Sequence, residues 1–195
     1  CIPVDQYGRE VPHVGILGLM DESINRDGPI IANLQGVNVG SIGYLAPKAG
    51  ASTEFVPLLF SGLRSDLMDR EQYALAANHS QLLQGMKHLN KQFTYAAMVT
   101  GPVKSAFPDG KPATSKYSGE VLSEAKAPLN MIVVADTDIL TDRMWVERQD
   151  FFGETNLVPF AANGDMVINM LDSLGGSADL ISLRSRVTYQ RPFTR

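Results

Sequence analysis

Apolar positions along the chain fall into a few short, dense runs separated by long polar connections. Met131-Ile132-Val133-Val134-Ala135 is continuous and rich in β-branched residues, the pattern of a strand buried on both faces of a parallel sheet, and it breaks into Asp136-Thr137-Asp138. Phe93 to Gly101 and Phe55 to Ser61 read as two further core strands, and Pro57 assigns the latter an edge position or a bulge. His13 to Met20 predicts a first strand, Ile30 to Gln35 a short helical turn, and glycine-spaced Val37 to Leu45 another strand. From Asp66 to Leu89 the pattern turns helical and polar, broken near Asn78-His79-Ser80.

The clearest helix begins at Asn163, which reads as its cap, with Asp165 in the first turn and Gly175-Gly176 as its stop. Met166, Met170, Leu171 and Leu174 fall on one side of it and should pack on the sheet. The stretch from Pro108 to Asn130 has almost no apolar periodicity and reads as a mobile loop. Val187 to Phe193 could add one antiparallel strand. Together these elements predict an α/β domain with a mainly parallel central sheet flanked by helices. They span residues 1–195 as one domain or as the C-terminal part of one.

Composition narrows the partners more than the fold. Hydrophobic residues make up 44% and charged residues 19%, the balance of a globular chain that can bury a core. A net charge of −4 gives no general attraction to nucleic acid or to anionic lipid. The single cysteine, Cys1, excludes an internal disulfide framework and a zinc site built on several thiolates. No run approaches the ~20 apolar residues of a spanning helix.

Three blocks carry a family resemblance: Val133-Val134-Ala135-Asp136-Thr137-Asp138-Ile139-Leu140-Thr141-Asp142-Arg143, Asn163-Gly164-Asp165-Met166-Val167-Ile168-Asn169-Met170-Leu171-Asp172, and Asp179-Leu180-Ile181-Ser182-Leu183-Arg184. Upstream, Phe55 to Ser61 and Gly101 to Phe107 extend it. The chain resembles the GldG-type auxiliary proteins of ABC transport systems, some of them associated with bacterial gliding motility. The resemblance implies a glutamine-amidotransferase-like fold, Rossmann-like and three-layered, and a place on the extracytoplasmic (periplasmic) side of the inner membrane. It also implies permease and ATPase subunits as partners, and membrane helices outside this segment. The chain opens mid-pattern, so it is expected to be the soluble part of such a protein.

The candidate chemistry is sparse. Asp136 and Asp138 at a strand end could hold a divalent ion for a metal-dependent hydrolase, but Asp138 or Thr141 capping the next helix, with Asp142 in its first turn, is the favoured reading. Neither a Walker A string nor G-x-G-x-x-G occurs, so nothing calls for a nucleotide cofactor. Cys1 lies outside any strand-to-helix elbow, so the amidotransferase-like fold carries no nucleophile. Ser61 and Ser105 lack a G-x-S-x-G context, and His13, His79 and His88 are scattered. Trp145, beside Phe151 and Phe152, reads as core rather than as a stacking platform.

The expected role is therefore non-catalytic: protein–protein contact or ligand presentation next to the permease. The alternative is a carbohydrate- or peptide-binding module at the sheet's carboxyl edge, where Ser61, Gly101, Ser105, Asp136, Asp138, Asn163 and Asn169 would meet a glycan or peptide. For Asn163, Asp165 and Asn169, a structural clamp on the turn after the Met131 strand is the favoured reading over contact with a glycan or peptide.

Overall fold

The computed structural model describes residues 13–28, 30–77, 79–151 and 153–176. The expected strand at Val187 to Phe193, Cys1, Phe152 and the Asp179 to Arg184 block lie outside them. Along the chain the elements are β1 (Ile16–Leu19), β2 (Val37–Gly40), β3 (Glu54–Phe60), α1 (Arg70–Leu75), α2 (His79–Leu82), β4 (Thr94–Gly101), β5 (Leu129–Val134), α3 (Asp142–Trp145), β6 (Val146–Phe151), β7 (Glu154–Pro159) and α4 (Asn163–Leu174). Among the described residues the strands form three small sheets, ordered β1-β2, β3-β4-β5 and β6-β7.

Every strand pair among the described residues is antiparallel, which overturns the expected mainly parallel, Rossmann-like sheet. The physical reason lies in the connections. A parallel pair needs a crossover, usually a helix that covers a sheet face. The link from β4 to β5 contains no helix. It continues instead as a hairpin, with Ser105 N–H donating to Ser123 C=O (2.7 Å) and Ala125 N–H to Val103 C=O (2.9 Å). Among its described residues, the link from β3 to β4 carries only α1, α2 and a single 3-10 turn, none of which buries a residue. β5 is consequently exposed at Asn130 and Met131 rather than buried on both faces.

Several local expectations hold. β3 is an edge strand whose register shifts between Pro57 and Phe60, where the proline cannot donate to the ladder. The polar helical stretch is broken where expected: α1 is capped by Asp69, whose carboxylate accepts the N–H groups of Glu71 and Gln72, and it ends at Ala76. Gly176 follows α4 with φ +80°, a left-handed stop that favours glycine. The extended stretch at Val37 ends earlier than predicted, at Gly40, because Ser41 takes a positive φ of 51°.

One core unites both inner sheets with α4. Val37 and Val39 of β2, Leu58 and Leu59 of β3 and Ala96 of β4 pack with Met166 and Met170 of α4, and Met98, Ile132 and Val134 flank them. The buried stripe of α4 is narrower than its sequence suggests, since Leu171 is 64% exposed. Beyond the core project two ribbons: the hairpin arm that continues β4 and β5 across residues 102–128, and β6-β7, whose second strand is exposed along its length.

Candidate functional site

β3 and β5 both run antiparallel to β4, so they point the same way and end at the same edge of the sheet. Ser61, just past β3, and Asp136, just past β5, therefore share that edge. Gly101 and Ser105 sit at the opposite end of β4, roughly 20 Å away at about 3.4 Å per residue. The seven candidate residues do not converge on one crevice.

At the Ser61 end, hydrogen bonds close the sheet edge. Ser61 N–H donates to Phe93 C=O (2.8 Å), and its hydroxyl accepts from Phe93 N–H (2.9 Å) while donating to Gly62 C=O (2.9 Å). Burial pushes the Tyr95 phenol above its ordinary value, and the Ser61 hydroxyl works against that rise. At the other end Gly101 holds φ +117°, and a Cβ there would sit 3.4 Å from Ser52 C=O. Its role is a tight strand exit that glycine allows. The Ser105 hydroxyl accepts from Phe107 N–H (3.1 Å) at the base of the arm.

Asp136 and Asn163 come together around β2. One Asp136 carboxylate oxygen accepts the N–H of Gly40 (2.8 Å) and the other that of Asp138 (2.7 Å). Asn163 is fully buried and saturated: its carbonyl accepts Asn38 N–H (3.0 Å), and its amide donates to Asn38 C=O (2.7 Å) and Ile139 C=O (2.7 Å). Asn38 in turn donates from its side chain to Met144 C=O (2.8 Å). Two short side chains thus tie β2 to the turn after β5 and to the first turn of α4.

These bonds explain why Asn163 is not the helix cap. It is the first residue of α4, Ala162 occupies the cap position with no side-chain cap bond, and the Asn163 amide is engaged elsewhere. Thr141 likewise precedes α3 without a side-chain cap bond, and Asp142 lies in the first turn. Asn169 donates to Ile30 C=O (3.0 Å) and holds the loop ahead of β2. Asp138 lies toward solvent with Arg143 at 3.7 Å. Among the described residues no group of three His, Cys, Asp or Glu side chains is placed to hold a metal ion. Trp145 is half-buried, and its ring lies against the start of α4, where a Cβ on Gly164 would come within 2.6 Å of it.

Sequence reasoning missed Asn38 and Gly40, the partners that give Asp136 and Asn163 their geometry. A polar Asn between Val37 and Val39 was the available signal. A cleft of about 230 Å³ between the 45–53 loop and the sheet, lined by Leu45, Phe55, Val99 and Val133, is smaller than the ~300 Å³ at which ligand pockets begin. Among the described residues no helix is long and apolar enough to cross a membrane.

In comparison with known proteins, a family model described as ABC-type uncharacterized transport system, an auxiliary component, matches residues 2–170. No curated protein and no solved structure gives a significant match.

Proposed function

The chain belongs to this auxiliary family of ABC transport systems, and from that premise we propose that it is a non-catalytic contact module beside the permease. The membership ties it to a membrane transport system and agrees with the resemblance read from the Asp136 and Asn163 blocks. The finer reading places it on the extracytoplasmic side, held at the membrane by helices outside this segment, in an assembly with permease and ATPase subunits. A GldG-type role in gliding motility belongs to the same reading.

The observation that carries the contact role is where the polar groups are used. Asp136 and Asn163 are turned inward and hydrogen-bonded to main chain, whereas the two ribbons present large apolar side chains outward. Phe107, Tyr117 and Leu122 on the arm, and Leu157 and Phe160 at β7, are each more than two-fifths exposed. Exposed apolar side chains on projecting elements are what a partner surface covers.

A photo-crosslinking residue at Phe107 or Leu157 of the intact protein in native membranes tests the proposal. Crosslinks to the permease are expected. Their absence from both ribbons overturns the contact role. A thermal-shift screen against sugars and short peptides separates the ligand-presentation version, since a ligand at a hundred times its dissociation constant adds roughly 2.7 kcal/mol.

A further inference from the structure

His13 and His79, far apart in sequence, stack with ring centroids 4.7 Å apart and planes 22° from parallel. Tyr73 of α1 closes the group edge-on, 4.6 Å from His79 and 6.5 Å from His13, and its hydroxyl accepts from Ser41 Oγ (2.9 Å) at the end of β2. The Tyr73 ring also fills the space a Cβ on Gly15 would need, with the phenol oxygen only 2.0 Å from that position. All three rings are half-buried. They tie this segment to the entry of β1, while α1 and α2 bury no residue of their own and Leu75 is 84% exposed.

We propose that the His13–His79 stack is a pH-sensitive clasp that docks the α1–α2 segment against the entry to β1 at neutral pH and releases it on acidification. Three features of the cluster oppose a proton on His13. Its Nδ1 accepts the N–H of Gly15 (3.1 Å), which requires the tautomer with a free Nδ1 lone pair and is lost in the imidazolium. Charge on His79 lies a stacking distance away. Burial removes part of the water that would solvate a cation.

Among the described residues, the other groups facing the cluster do not compensate. Tyr73 and Ser41 are neutral, the Gly15 contact is main chain, and Arg70 and Glu71 on α1 are exposed. Among the described residues no ion pair reaches either imidazole.

Burial first, and then His79, hold the His13 pKa below its ordinary 6.5. The released segment binds a proton more readily than the docked one. Docking is therefore at full strength above about pH 6.5 and weakens as pH falls from there toward the lowered docked-state value. Each linked proton changes the docking equilibrium by at most about tenfold per pH unit.

Proton NMR of the three histidines and the Tyr73 ring, from about pH 8 to about pH 5, tests this. His13 is expected to titrate below 6.5, and the Tyr73 ring signals should move to solvent-exposed positions in the same step. In His79→Phe, which keeps an aromatic neighbour without charge, the Tyr73 step should shift to lower pH. A His13 titrating at or above 6.5, a Tyr73 ring that ignores pH, or a Tyr73 step unchanged in His79→Phe overturns the proposal. If the variant is already undocked at neutral pH, the wild-type titration decides alone: the proposal stands if the His13 and Tyr73 steps coincide and falls if they do not.

Discussion

The clamp around β2 and the two projecting ribbons use similar residue types for opposite ends. In the clamp, Asn163 and Asp136 are buried and nearly every polar atom meets a main-chain partner within 3.0 Å. On the ribbons Phe107, Tyr117, Leu122, Leu157 and Phe160 are left uncovered. Ion pairs there, such as Lys126 with Glu120 at 3.9 Å, are solvent-exposed and stabilise little. A two-stranded ribbon in water is marginal on its own. The clamp therefore belongs to the stability of the body and the ribbons to what the body meets. Acidic and amide residues that look like a binding site in sequence can be structural, and plain surface hydrophobics can matter more.

The largest expected effect breaks the clamp. Asn163→Leu leaves the N–H and C=O of Asn38 and the C=O of Ile139 without partners, and should destabilise by about 3 kcal/mol or more at roughly 1–3 kcal/mol per buried group. Urea unfolding measures it, and a loss under about 1 kcal/mol would contradict the clamp.

Asp136→Asn is gentler. It keeps the shape but turns an NH₂ group toward a main-chain donor, Gly40 or Asp138, and should cost about 2 kcal/mol by the same measurement. Gly164→Ala should be destabilising by about 1 kcal/mol despite the better helix propensity of alanine, because the added methyl meets the Trp145 ring. A gain in stability, or unchanged tryptophan fluorescence, would remove the ring from that contact.

The smallest effect on folding sharpens the comparison from the other side. Phe107→Ser and Leu157→Ser, each on a ribbon, should change stability by less than about 0.5 kcal/mol. They should nevertheless weaken recovery of the permease with the intact protein from detergent-solubilised membranes. A stability loss as large as that of Asn163→Leu would make the ribbons part of the core.

Much of the local structure was fixed by residue pattern. Pro57 marked an edge strand because it has no N–H for a second neighbour, and Gly175-Gly176 marked the end of α4 because left-handed backbone suits glycine. The dense apolar runs at Phe55, Phe93 and Met131 became the three strands of the main sheet, and the motif blocks identified the family.

Strand direction was decided only in the folded chain. The apolar run at Met131 suits a buried strand of either polarity, and what settled it was that residues 102–128 pair with themselves instead of forming a covering helix. The same step dispersed the candidate site, since reversing β4 carries Gly101 and Ser105 to the far edge while leaving Ser61 and Asp136 together. It also set the partners of the clamp, since Asn163 holds Asn38 and Ile139 and does not cap α4. A side chain's partners across 125 residues are set by packing, and local pattern holds no information about them.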